Sequence, residues 1–155
     1  NLGDVWSHEL LGAKGSTESF IPFHKLSQWL TYSLIEPIEQ AGLPVVGVEE
    51  LTGLAEYRNG GLLLDKKLIT LRDPQLAQQA HRPDSALVIE WRALTVVLLE
   101  KIAAKVRDGL NKTEAEMPLA KVLEGGTWWA GRKSAAELRE GGGPPLKIVS
   151  DGTVF

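Results

Sequence analysis

Residues 84–109 constrain the fold more than any other stretch. One apolar stripe runs Leu87, Trp91, Leu94, Leu98 and Ile102, and a second runs Ile89, Arg92, Val96, Leu99, Ala103 and Val106. Both recur at helical spacing. A helix with two apolar stripes is buried on most sides, so the rest of the chain must wrap around it. Asp84, after Pro83, is placed to cap the first turn, and Gly109 with Asn111 stops the last. Arg92 lies inside an apolar stripe with Glu90 close by, and a charge there needs a partner. It is either half of a buried ion pair or a pocket-facing group that meets an anion or orients a carboxylate.

The other elements read as shorter helices and loops. Residues 24–41 carry Leu26, Trp29, Leu30, Leu34, Ile38 and Ala41 at helical spacing. The opposite stripe is His24, Gln28, Tyr32 and Glu36, with Lys25 at its edge; such a stripe is usually a solvated face. Pro37 kinks this helix, and Gly42 and Pro44 end it. A β-branched stretch at Val45, Val46 and Val48 follows, and Glu49-Glu50-Leu51 can open a short helix. Asn59-Gly60-Gly61 is a turn signal, yet Leu62-Leu63-Leu64 and Leu68-Ile69 favour a helix over 56–71. Residues 72–83 form a connector with a short helix over 74–80. Pro118 to Leu123 form a helical turn that Gly125-Gly126 breaks. Thr127 then caps a further helix that begins with Trp128 and Trp129, of which one at most faces a site. Gly141 to Pro145 make a link, and the apolar tail beyond docks back as an extended segment. Residues 1–21 have no period; Gly12, Gly15, Ser16 and Thr17 mark a loop, and Trp6 and His8 are expected to dock on another surface.

A length of 155 residues predicts one domain. Net charge is −3, which gives no basic excess for a nucleic-acid backbone. There are no cysteines, so disulfides and thiolate metal sites are excluded; a cytoplasmic protein is expected. No apolar run reaches the length of a membrane span, and no secretory signal is visible. The chain starts at Asn1 and reads as a piece of something longer. Phosphate-loop (G-x-x-x-x-G-K-S/T) and dinucleotide (G-x-G-x-x-G) fingerprints are missing, as is a nucleophile elbow. His8, His24 and His81 have no metal-ligand spacing. Carboxylates, a lysine, arginines and aromatics remain, and these suffice for cleaving a sugar–nitrogen bond.

Two resemblances sharpen this. The strings PFHKLSQWLTYSL, LTGLAEYRNGGLLLD, ALVIEWRALTV, KVLEGGTWWAGR and PPLKIVSDGTVF resemble the C-terminal part of the uracil-catabolism protein family of fungi and bacteria, which long carried an unknown-function label. The resemblance covers nearly the whole chain. It implies a C-terminal portion of a longer protein, an upstream part of that protein as partner, and a pathway that opens the ring of a uridine nucleotide and releases urea from a ribosylurea species. A more distant similarity is to queuosine-salvage glycosylases, which hydrolyse an N-glycosidic bond on a helical fold related to DNA glycosylases. Their Tyr-Lys-Arg-Ala-Gln block matches His24-Lys25-Leu26-Ser27-Gln28. Their Ala-Asp-Tyr-Arg block matches Ala55-Glu56-Tyr57-Arg58, and their Glu-Ile-Arg block falls at Ile89-Glu90-Trp91-Arg92. Glu replaces Asp, and a Pro after Tyr-Arg-x is Gly here, so the substrate does not carry over.

Together the resemblances imply an all-α, DNA-glycosylase-like domain over residues 1–155 with an extended tail. They imply hydrolysis of an N-ribosyl bond in a ribosylurea-type, phosphorylated compound. Glu56 would activate water or steady the anomeric carbon. Lys25 would hold a substrate oxygen or phosphate, or set the ionisation of Glu56. Arg92 would orient Glu56 or meet a phosphate, and the polar stripe of His24 and Gln28 would face the pocket. Tyr57, Arg58, Trp128 and Arg132, with Trp129 and Lys133 nearby, would line the rest. The partner is a small nucleoside- or nucleotide-derived molecule, with no nucleic acid, membrane, metal or organic cofactor implied. The competing readings are a non-catalytic member of a uracil-degradation complex, in which the Trp-rich surface is an interface, and a glycosylase of other specificity, DNA repair included.

Overall fold

A computed structural model describes residues 2–149. A hairpin of β1 (Val5–Ser7) and β2 (Phe20–Pro22) opens the chain, with Trp6 opposite Ile21. Helix α1 (Lys25–Gln40) follows, then a 3-10 turn at Val48–Glu50 and α2 (Tyr57–Asp65). A second 3-10 turn at Pro74–Gln78 leads to the short strand β3 (Ala80–His81) and to α3 (Ala86–Leu110). The one-turn helix α4 (Leu119–Val122) runs through a π-helical segment, Leu123–Trp128, into α5 (Trp129–Leu138). Strand β4 (Lys147–Ile148) pairs in parallel with β3. The expected mainly helical architecture is present, and no helix among the described residues is long and apolar enough to cross a membrane.

Helix α3 is the axis of the core. Its Leu99 and Ala103 pack against Leu119, Val122 and Leu123, while its Val88 and Trp91 pack against Leu146 of the returning tail. Burial is narrower than two full stripes imply, because Leu94 and Val97 face outward. Ser85, not Asp84, is the N-cap residue; Asp84 instead pairs with Arg82. Gly109 lies inside the last turn, and Asn111, in the left-handed conformation, ends it.

The glycine signals have a different meaning from the one the sequence suggests. Asn59-Gly60-Gly61 is helical, not a turn. A Cβ on Gly60 would sit 2.7 Å from Thr95 Oγ1 and 2.9 Å from Trp91 Nε1, so glycine there lets α2 lie directly on α3. Its carbonyl accepts a hydrogen bond from Trp91 Nε1 at 2.9 Å. Gly125-Gly126 does not break the helix either; the chain passes through a π turn. Thr127 is therefore no N-cap. It is buried and donates its hydroxyl proton to Asn59 Oδ1, at 2.9 Å.

The tail docks as expected as far as Val149, whose N–H donates to His81 O; residues 150–155 lie outside the described residues. Trp6 and His8 find partners within the domain: Trp6 donates to Asp4, and His8 approaches Glu90.

Helix α1 is turned the other way round from its apolar pattern. Leu26, Leu30, Leu34 and Ile38 face solvent. The middle of the polar stripe meets the body, where Gln28 donates to Thr52 Oγ1 and the Tyr32 hydroxyl donates to Thr52 O, while His24 and Glu36 at its ends are exposed.

Candidate functional site

The site begins with Glu56, the residue before α2. Its backbone is extended, and its carboxylate turns back onto the helix it precedes. Oε2 accepts from the N–H groups of Arg58, at 2.7 Å, and Asn59, at 3.3 Å. These are donors that a helix leaves unsatisfied at its N-terminus. Oε1 has no hydrogen bond to the described residues, and the side chain lines a cavity of about 370 Å³. Burial raises the Glu56 pKa, against the opposing pull of the two N–H groups and of the Lys25 and Arg58 charges. A carboxylate in a cavity wall, with one oxygen fixed and its pKa raised, is suited to general-base work.

The cavity lies between α1, α2 and the π-helical segment. Its walls are Trp29, Tyr32 and Ser33 of α1, Asn59 of α2, and Leu123, Glu124 and Trp128 of the π turn. Asn59 is held by Thr127 through its Oδ1, which leaves its amide N–H groups for the cavity. Burial pushes the Tyr32 phenol up to about 12, helped by the nearby Glu100 charge, so it stays a neutral donor. Among the described residues, two carboxylates and two indoles line the space, and no lysine or arginine does.

Lys25 is buried but is not part of the cavity wall. It lies close enough to Glu56 for each charge to act on the other, with no direct ion pair between them among the described residues. Burial lowers its pKa, with Arg92 adding to the effect and Glu56 and Asp4 opposing it.

Asp4, which carries no signal in the linear pattern, positions Lys25. The hairpin sets Asp4 beside residues 23–25, and its carbonyl accepts from Phe23 N at 2.9 Å. Its Oδ2 accepts from Lys25 N at 3.0 Å, which caps α1 from a distant part of the chain. The local N-cap residue, His24, provides no side-chain cap and sits at φ 47°, a left-handed conformation uncommon outside glycine. Both Asp4 oxygens also hold Arg92, at 2.6 and 2.7 Å, and the guanidinium stacks on the Phe23 ring at 4.1 Å. Arg92 is 0% exposed and does not border the cavity. Its two terminal nitrogens donate to the two Asp4 oxygens, so Arg92 clamps the hairpin beside the start of α1.

The remaining sequence candidates divide. Trp128 is in the wall, and Arg132 stacks on its ring at 5.0 Å, at the rim. Gln28 is on the body-facing side of α1 but is outside the wall, and His24 is exposed. Arg58 donates to Gly142 O and lies over Tyr57, and Tyr57 packs against the core of α3 and the tail. These two fasten α2 to the tail instead of facing the cavity. Among the described residues there is no cluster of three or more His, Asp or Glu that could hold a metal ion.

Over residues 1–155 the chain matches the family described as Protein of unknown function (DUF1688). The chain belongs to this family. Relatives include Protein urg3 of Schizosaccharomyces pombe, 46% identical over 158 residues, and Uracil catabolism protein 4 of Lachancea kluyveri, 36% identical over 176 residues. The matches cover 100% and 99% of this chain but 38% and 39% of those proteins. The chain thus spans about two fifths of the length of the curated relatives it matches. No solved structure matches it.

Proposed function

We propose that this domain serves uracil catabolism by hydrolysing the N-ribosyl bond of a ribosylurea-type compound. The observation that carries the reading is Glu56, with one oxygen fixed by two backbone N–H groups, in the wall of a cavity that Trp29 and Trp128 also line. Glu56 takes a proton from water as the water oxygen bonds to the anomeric carbon. The C–N bond breaks, and the nitrogen of urea receives that proton. Lys25 holds no substrate oxygen in this scheme; its charge keeps Glu56 ionised against burial. The family relative named Uracil catabolism protein 4 supports the pathway.

The wall also favours one part of the substrate over another. A ureido group is flat, neutral and rich in N–H donors. It suits two indole faces and the acceptors of Glu56 and Glu124. A phosphate beside two carboxylates would be repelled. Any phosphate on the substrate therefore lies outside the cavity, where Arg132 at the rim is a candidate partner.

The test is urea release from ribosylurea and from its phosphate, using the full-length family protein that carries this domain. Glu56→Gln should lower turnover by about 10²–10⁴-fold, the usual worth of a general base. Lys25→Ala should lower it less. Variants that match the parent on both compounds would refute the assignment.

A further inference from the structure

Helix α1 has an apolar face that none of the described residues covers. Leu26, Trp29, Leu30, Leu34 and Ile38 lie along it, all exposed. Apolar residues scattered singly on a surface are ordinary, but a continuous row along a helix marks an interface. The row is not an accident of a loosely held helix. Asp4 caps its first turn, Thr52 binds Gln28 and Tyr32 on its inner side, and the buried Lys25 anchors its start. Gln28 and Tyr32 of the polar stripe face inward and the apolar stripe faces outward, the reverse of what burial within this domain alone would select.

We propose that this face is the seat of the remainder of the family protein, the part of the chain that residues 1–155 do not include. The curated relatives extend well beyond the matched region, since this chain accounts for 38% and 39% of them. An intramolecular partner present at high effective concentration accounts for an apolar stripe that would otherwise promote aggregation. Trp29 and Ser33 belong both to this helix and to the cavity wall, so the docked part also closes the open side of the cavity. That last clause rests on the proposed function; the docking itself does not.

Hydroxyl-radical footprinting of the full-length protein tests this without reference to turnover. Trp29 and Trp129 are 59% and 56% exposed in this domain, so they form a matched pair. In the full-length protein Trp29 should oxidise several-fold more slowly than Trp129, at a ratio that does not change with protein concentration. Leu30→Glu places a charge in the seat and should bring the Trp29 rate up toward that of Trp129, while far-ultraviolet circular dichroism stays that of the parent. Equal rates in the parent protein would overturn the proposal. Protection that appears only as concentration rises, with a matching increase in mass by light scattering, would also overturn it and assign the face to a second copy.

Discussion

Replacing Gly131 by alanine should be among the most damaging single-methyl changes in the domain. Gly131 lies on α5 where it crosses α2. A Cβ there would stand 2.8 Å from the carbonyl carbon of Arg58 and closer still to its oxygen. Both are backbone atoms, so no side-chain rotation relieves the contact. Carbon atoms rest at about 3.5 Å or more, and with the oxygen nearer still the two helices must part by more than about 0.7 Å. The Thr127–Asn59 hydrogen bond joins the same two layers and is 2.9 Å long; a displacement of that size carries it past hydrogen-bonding reach. Overpacking costs about 1–3 kcal/mol, and a lost buried hydrogen bond adds about 1 kcal/mol. We expect about 3 kcal/mol, or roughly 6–12 °C in Tm for a domain of this size.

The control is Gly109→Ala. Gly109 is helical too, inside α3, and an added Cβ there meets nothing within 4 Å. Alanine should stabilise by about 0.5–1 kcal/mol through helix propensity. The two variants make the same chemical change in the same kind of element, and only the neighbouring backbone differs. Urea denaturation followed by circular dichroism measures both. If Gly131→Ala falls within about 0.5 kcal/mol of the parent, below the range for overpacking, the close α2–α5 crossing is refuted.

Two further predictions concern charge. Asp4→Asn should destabilise the domain by about 3 kcal/mol at neutral pH, because it removes the charge from a buried pair. Burial alone would raise the Asp4 pKa, but the bonds from Arg92, Lys25 N and Trp6 outweigh it and hold it below the ordinary aspartate value. Its stabilising contribution is therefore complete above that ordinary value and is lost as pH falls through the native one. The gap between parent and variant in urea denaturation should shrink in acid, and a gap independent of pH would count against the assignment. For Glu56 the sign is reversed: its pKa is raised, so a reaction that needs the ionised carboxylate loses rate at a pH above the ordinary glutamate range. Lys25→Met removes a nearby positive charge and should move that acid limb of the kcat/KM profile higher still; an unmoved limb would separate Lys25 from the ionisation of Glu56.

The local pattern was legible where local forces decide. The α1 and α3 helices follow from spacing, and α2 follows from its leucines despite its glycines. Close packing explains the Gly60 signal: there the missing side chain serves a neighbouring helix, which a linear pattern does not contain. Spacing alone leaves the inward face of α1 undecided for a related reason. Periodicity identifies an apolar side but not whether that side meets this domain or another part of the protein. Glu56 stood out only by resemblance, and its neighbours in the cavity, Glu124 and Asn59, carried no signal at all. Asp4 was invisible because its partners, Lys25 and Arg92, lie 21 and 88 residues away.

Asp4 changes how the Lys25–Glu56 pair is understood. Burial drives both groups toward their neutral forms: it raises the carboxyl and lowers the ammonium. Left to themselves, two such groups would exchange a proton and lose their charges. What opposes this is asymmetric. Glu56 has two backbone N–H donors at a helix N-terminus, and these stabilise only the carboxylate. Lys25 has the fields of Glu56 and Asp4 in its favour and that of Arg92 against it. The Asp4 carboxylate, bonded directly to Arg92, acts on Lys25 in the opposite direction and offsets part of that repulsion. The buried Arg92 can then serve as a clamp on the hairpin without discharging the lysine beside it. Asp4 thus sets the start of α1, neutralises the arginine and preserves the positive charge that keeps Glu56 ionised, so its replacement should lower activity through the pH limb as well as through stability.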